Sequence, residues 1–211
     1  RERRPLVTLK ASTDSIGRID GNPSESAVRF SSELSLELAQ KIRADSMAIL
    51  VGVGTVIRDN PSLTVRGPDI GPRDKPTRVV IDPNGRIPDG CALMTDGAAP
   101  TLVIQFYEHD SSEDHSHVER VVIPEQEIPI SRILDMLGDR GIQSLLVEGG
   151  ADTWQRFLSA GMVNKARICI SPTVLDGGVV TFDRSMLEDR MTLDSISESS
   201  GDSIEWWRRS D

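Results

Sequence analysis

Cysteine is nearly absent from this chain of 211 residues. Cys91 and Cys169 are the only two, they lie far apart, and Cys169 sits inside the apolar run from Ala166 to Ile170. A disulfide framework is excluded, and reduced, structural thiols are expected. Long apolar runs are missing too, and the first residues, RERRPLVTLK, carry no signal-peptide core. The expectation is a soluble, cytoplasmic protein with no membrane partner. Positive charge is in deficit, with 24 Lys and Arg against 33 Asp and Glu and a formal net charge of −9. That argues against duplex nucleic acid as a partner, because neutralising phosphates needs clustered positive charge. A small phosphorylated ligand stays possible if arginines and helix N-termini are placed locally. Histidine is scarce. His109, His115 and His117 all fall in the polar stretch from Glu108 to His117, and a zinc site needs a fixed shell of three or four ligands. A solvated loop and no metal are expected there. No internal repeat and no clear linker interrupts the chain, so a single domain over residues 1–211 is expected, large enough to bury a core without staples.

What is present reads as strands alternating with helices. Pro5 to Lys10 opens as a strand, and Ala11 to Glu25, rich in Ser, Asp, Gly and Pro, reads as a long loop. Ser31 or Ser32 caps a helix with Leu34, Leu38 and Ile42 on one stripe, and Arg43 leaves its end. Met47 to Val53 is an apolar run of strand length. Thr77 to Ile81 is a buried strand stopped by Asp82-Pro83-Asn84-Gly85, a strong turn signal. Pro100 to Gln105 and Val118 to Pro124 add two strands. Ser131 caps a helix carrying Ile133, Leu134 and Leu137, closed by Gly141. Ser144 to Val147 is a strand running into Glu148-Gly149-Gly150, and a helix with Trp154, Phe157 and Leu158 follows at once. Ala166 to Ser171 and residues 203–208 are the last strands. The alternation predicts an α/β fold with a mainly parallel mixed sheet flanked by helices. The late strands, with no helix between them, predict an antiparallel edge at the C-terminus.

Three constellations could carry chemistry. The stretch from Arg43 to Arg66 delivers Gly52 and Gly54 at a strand end, where a ligand can approach the backbone closely. Thr55 and Asp59 follow at i, i+4 on a short helical turn, which sets hydroxyl and carboxylate on one face. An ordinary Rossmann fingerprint needs glycine where Ile57 stands and an acid about twenty residues on, and neither condition is met. Gly149-Gly150 joins a strand to a helix whose free N–H groups favour a pyrophosphate, a tight structural turn being the alternative. Glu148, closing a buried strand, is costly unless it meets a donor, which a ligand could supply. Arg43 and Arg66 bracket the glycine-rich strand end as an anion cradle. No Ser-His-Asp, Cys-His or carboxylate-pair spacing stands out.

The segments Asp45 to Arg66 (DSMAILVGVGTVIRDNPSLTVR), Thr77 to Pro88 (TRVVIDPNGRIP) and Leu146 to Trp154 (LVEGGADTW) resemble the reductases of riboflavin biosynthesis. These are the C-terminal reductase domain of the bifunctional deaminase–reductases and its stand-alone relatives. The similarity runs in order over roughly residues 5–180. The resemblance implies a dihydrofolate-reductase-like fold, NADPH as hydride donor and usually a homodimer. The implied substrate is a phosphoribosylamino-pyrimidinone, reduced at C1′ to its ribityl form. By the same resemblance, Thr55 and Asp59 contact the cofactor beside Gly52 and Gly54. Gly149, Gly150 and the helix start at Ala151, Asp152 and Thr153 take its phosphates. Arg43, Leu63, Arg66 and Glu148 contact the substrate, with Glu148 the best candidate for a catalytic role. Nothing resembles the zinc-binding segments of the deaminase half, so no deamination is expected.

The chain departs from the family between Ser12 and Arg29, where the segment after the first strand is shifted by about two residues. Ala27 and Arg29, or Ser26 with a shift, stand where relatives place substrate contacts. Pro83 replaces a serine that commonly contacts the cofactor. The alternative is therefore a same-fold NADPH-dependent reductase of another small glycosylamine, imine or carbonyl. No ribose-2′-phosphate contact separates NADPH from NADH in the sequence, so NADH stays open.

Overall fold

Neighbouring residues on the inner strands of this protein point to opposite faces of one sheet, and both faces are covered. The computed structural model describes residues 4–22, 24–25, 30–67, 75–108, 115–124, 129–177 and 182–210. In chain order these form β1 (Leu6–Thr13), α1 (Glu33–Ala44), β2 (Ala48–Gly52), α2 (Val53–Asp59), β3 (Thr77–Ile81), α3 (Ala92–Thr95), β4 (Thr101–Gln105) and β5 (Val118–Val122). Then come α4 (Ile130–Asp139), β6 (Ser144–Gly149), α5 (Ala151–Ser159), β7 (Lys165–Ile170), α6 (Ser185–Glu188), β8 (Met191–Ser199) and β9 (Asp202–Arg209).

The strands make one sheet in the order β5-β4-β3-β2-β6-β1-β7-β9-β8. All pairings from β5 to β7 are parallel, while β9 runs antiparallel to both β7 and β8. The expected antiparallel edge is thus present, and wider than residues 203–208 alone suggest. Period-2 alternation divides the core. Ala48, Leu50, Val79, Leu145 and Val147 face α4, α5 and α6, which contribute Leu134, Leu137, Trp154, Phe157 and Leu187. Ile49, Val51, Val80, Val103 and Leu146 face the other side, with Val53 and Val56 of α2 and Leu93 and Met94 of α3.

Local expectations shift in four places. β1 runs on to Thr13, because Ala11 and Thr13 are buried and keep the strand's alternation past the serines. Val53 opens α2 instead of closing β2, with Gly52 as its N-cap. Ser32 caps α1 as expected, accepting from the Ser35 amide; of the expected stripe Ile42 packs on the core and Leu38 is half-buried, but Leu34 is exposed and the fully buried residues are Ser35 and Ala39. Ser131 is not a cap: α4 starts at Ile130 with Pro129 in the cap position, where no side chain is needed to fix the backbone.

The turn after β1 is built on one buried carboxylate. Asp14 is 0% exposed and accepts from the N–H groups of Ile16 (3.0 Å), Arg18 (2.7 Å) and Leu175 (3.0 Å). Burial alone would raise its pKa, but these donors and the Arg18 charge outweigh burial and hold it below the ordinary 3.8. A carboxyl depressed on folding stabilises fully above the unfolded value, and that contribution is lost as pH falls through the folded one. Asp14→Asn should cost about 1–3 kcal/mol near neutral pH, the scale of a donor left unmet in the interior. Urea titrations should find the gap between variant and parent closing below pH 3.8. A gap that stays constant down to acid unfolding would refute the assignment.

Candidate active site

In an open parallel sheet, ligands settle at the carboxyl ends of strands where the chain's winding direction reverses. Here β2, β3, β4 and β5 step outward one way, β1 and β7 lie the other way, and β6 returns between β2 and β1. A cleft of about 1140 Å³ opens at this reversal, lined by the ends of β1, β2, β3 and β6 and the starts of α2 and α5. Thr55, Asp59, Gly52, Gly54, Gly149, Gly150, Ala151, Asp152 and Thr153 all line it, as do Arg43, Leu63, Arg66 and Glu148. Two stretches about ninety residues apart in sequence are therefore one site. Ser26, Ala27 and Arg29 lie outside the described residues, as does His109.

The two strand-to-helix turns interlock. A Cβ on Gly52 would stand 2.6 Å from Thr153 Oγ1, and a Cβ on Gly149 would stand 2.9 Å from Thr55 Oγ1. Each helix's threonine thus packs on the glycine that precedes the other helix. Gly150, the N-cap of α5, has φ +82°, a left-handed conformation that glycine adopts without strain. No side chain caps α5, so its first amides face the cleft without an intrahelical acceptor. Bare glycine backbone and free N–H groups suit a pyrophosphate, and the residues present therefore fit a dinucleotide. Asp59 is an exposed residue, yet desolvation of its carboxyl, and next the like charge of Asp20, holds it above the ordinary carboxyl value.

On the other side of the cleft, the donor required by Glu148 comes from the chain itself. Arg43 donates from Nε to Oε1 at 2.6 Å and from Nη2 to Oε2 at 2.5 Å, with side chains only 13% and 9% exposed. Its Nη1 donates to the Thr64 carbonyl at 3.1 Å. Leu63 is 2% exposed and sits at φ +47°, an unfavourable backbone for a branched side chain. It is held from both sides, because the fully buried Arg78 donates to the Ser62 carbonyl at 3.3 Å. Arg78 also engages Asp96, Thr101 and the carbonyls of Leu93 and Ala99, so every edge of its guanidinium is used within the fold. Arg66 lines the cleft with its amide bound to Gln40, and its guanidinium has no partner among the described residues.

Residues the sequence reading passed over complete the wall. Lys10, on β1, donates from Nζ to Ser12 Oγ at 2.7 Å. Burial of its ammonium lowers its pKa, an effect that nearby Glu148 partly offsets. A lysine alternating with core residues near a parallel strand's carboxyl end was the available signal. Arg86 also lines the cleft, on the loop after β3. Arg58 latches the loop after β1 onto α2, donating to Asp20 at 2.7 Å and to the Asn22 carbonyl at 3.2 Å.

Comparison with known proteins gives this cleft a lineage. Residues 5–204 match the model of the RibD C-terminal domain. The chain is 32% identical over 198 residues to the 2,5-diamino-6-ribosylamino-4(3H)-pyrimidinone 5′-phosphate reductase of Methanothermobacter thermautotrophicus, covering 93% of this chain and 89% of that one. The diaminohydroxyphosphoribosylaminopyrimidine deaminase/5-amino-6-(5-phosphoribosylamino)uracil reductase of Thermotoga maritima superposes with a TM-score of 0.82 at 25% identity, over 99% of this chain and 57% of that longer one. Dihydrofolate reductase from Enterococcus faecalis, solved with NADP(H), shares the fold alone, at TM-score 0.56 and 11% identity over 98% of this chain and 97% of that one. With its family match spanning nearly the whole sequence, the chain belongs to the RibD C-terminal domain family, the reductases of riboflavin biosynthesis, built on a dihydrofolate-reductase-like α/β fold.

Proposed function

We propose that this protein is an NADPH-dependent reductase that converts the ribosyl group of a ribosylaminopyrimidinone 5′-phosphate to ribityl, in riboflavin biosynthesis and in the cytoplasm. The observation that carries the reading is the convergence of both assigned residue sets on one cleft at the sheet's reversal point. A reduced nicotinamide, when bound, supplies the hydride that the substrate's C1′ accepts. Gly52, Thr55, Gly149, Gly150 and the first amides of α5 would hold the dinucleotide.

The chain's own residues do the rest by position and proton supply. Opening the sugar breaks the bond between C1′ and the ring oxygen. The nitrogen's lone pair then forms a C1′=N bond, and the ring oxygen takes a proton. Lys10 Nζ, fixed by Ser12, is the ammonium on this side of the cleft that holds such a proton. The guanidinium of Arg66 is the natural partner of the substrate's phosphate. Arg43 and Glu148 neutralise one another, which leaves two of the five N–H donors of Arg43 for the substrate's oxygens. A second copy of the chain is the expected partner, a reading supported by exposed Leu34 and Leu36 on α1.

Purified protein should oxidise NADPH when given the phosphoribosylamino-pyrimidinone, and absence of turnover despite tight NADPH binding would overturn the substrate assignment. Lys10→Met should lower kcat by about 100-fold or more, the scale of lost general-acid catalysis. A general acid works below its pKa, and burial sets Lys10 lower than 10.5. The alkaline fall of kcat/KM should therefore begin below pH 10.5 and vanish in the variant. An unchanged profile would remove Lys10 from the mechanism. Sedimentation should give a species of twice the 23.1 kDa chain, and a monomer at assay concentrations would refute the dimer.

A further inference from the structure

A second, smaller cavity lies at the opposite end of the sheet from the cleft, and the reduction makes no use of it. It holds about 230 Å³ where β7 and β8 begin and β9 ends. The six residues of β7, about 20 Å of strand, separate it from the carboxyl ends where the cleft lies. Buried Leu158, Val163 and Met191 line its inner part, and exposed Asp189, Arg190, Arg209 and Ser210 line its mouth. Pockets for drug-sized ligands start at about 300 Å³, so this one takes a smaller molecule.

The backbone fixes both arginines. Arg209 pairs in register with Met191, its N–H donates to the Asn164 carbonyl at 2.9 Å, and the Ser210 N–H donates to the Arg190 carbonyl at 3.2 Å. Alternation along β9 puts Arg209 on the same face as buried Trp207. Neighbouring arginines are engaged, Arg156 with Asp152, Arg184 with Glu205 and Arg208 with Asp194. The guanidinium groups of Arg190 and Arg209 have no hydrogen-bond or ion-pair partner among the described residues. A surface arginine without a partner ordinarily extends into water. Arg190 does not, because a Cβ on Gly161, just past the end of α5, would stand 3.5 Å from its Nη1. Its side chain is laid across the mouth toward α5. Asp189 is the single carboxylate on the wall, so the mouth keeps an excess of positive charge.

We propose that this cavity binds a small phosphate monoester, its phosphate between Arg190 and Arg209 and its carbon body on Leu158, Val163 and Met191. The inference stands apart from the function proposed above. One guanidinium fork satisfies a carboxylate, whereas a phosphate monoester brings three terminal oxygens and a charge of about −1.5 to −2, enough to engage two forks. The Ser210 hydroxyl, 3.0 Å from that of Thr192, adds a polar group at the same mouth. Inorganic phosphate has no body for the apolar wall to cover and is the weaker ligand. A cation at the end of α5 also complements the helix dipole, and the experiment separates the two roles.

The test follows the methyl resonance of Met191 by NMR in the full chain. No methionine lines the cleft, so a phosphate bound there leaves this signal in place. n-Propyl phosphate should shift it saturably, with half-saturation at about 1 mM or below. Butyrate and inorganic phosphate should each bind about tenfold more weakly or worse. Arg190→Ala and Arg209→Ala should each weaken n-propyl phosphate by about 10- to 100-fold, the loss of a charge-assisted contact. The other methionine methyls should stay in place in both variants, which reports an intact fold. A Met191 signal that does not saturate below about 10 mM n-propyl phosphate, or that responds equally to butyrate, would overturn the proposal. So would an Arg190→Ala variant that loses thermal stability and keeps the parent's phosphate response, the behaviour of a simple cap on α5.

Discussion

A carboxylate that ends a buried strand has to be neutralised, and the pairing of Glu148 with Arg43 is the constraint around which this protein's cleft is arranged. The pair joins the end of α1 to the end of β6, and the same guanidinium reaches the Thr64 carbonyl. One side chain therefore fixes the relation between a helix, a strand and a loop. Exposed ion pairs such as Arg140 with Glu119 contribute about 0–1 kcal/mol. Removing one member of a buried pair costs about 3–5 kcal/mol, because the other charge is stranded. Glu148 and Arg43 lie much nearer the second case, at 9% and 13% exposure. Leu63 depends on this arrangement, since its left-handed backbone lies between carbonyls that Arg43 and Arg78 hold.

The strands were legible wherever a short apolar run was unbroken. Met47 to Val53, Thr77 to Ile81 and Ser144 to Val147 each put apolar side chains on both faces, and each is a central strand. β8 was not legible, because six of its nine residues, Thr192 and Asp194 to Glu198, are exposed at an outer edge. The stripe of α1 was legible in part, since Ile42 packs on the core as expected while Leu34 is exposed. Leucines dominate any count of apolar positions, but the residues of this helix that are buried are Ser35 and Ala39. In the site, motif residues were legible because glycines, a threonine and a carboxylate cluster at strand ends. Lys10 was not, since a single lysine in a strand normally projects to solvent. Nor was Arg78, whose five partners are Ser62 and four residues between Leu93 and Thr101, all distant from it in sequence.

Charge explains how an acidic protein can host anionic ligands. The whole chain carries −9, yet six cations face four carboxylates around the cleft: Lys10, Arg43, Arg58, Arg66, Arg86 and Arg156 against Asp20, Asp59, Glu148 and Asp152. Salt screens the distant surface within about 10 Å, so the local excess decides what enters. Arg66 and Arg86, whose guanidinium groups have no partner among the described residues, carry that excess.

The reciprocal contacts of Thr55 on Gly149 and Thr153 on Gly52 bear on how such a site can change over generations. A side chain added at either glycine collides with a threonine on the neighbouring turn, and shrinking that threonine loosens a helix start it would otherwise hold. Drift at this end must therefore proceed through matched pairs of changes, and single steps are closed to it. The loop after β1 is attached differently, by Asp14 and by the Arg58 latch, which are side-chain bonds that can be exchanged one at a time. The molecule thus has a slow half and a fast half, and new substrate preferences in this lineage would be expected to enter through the fast one.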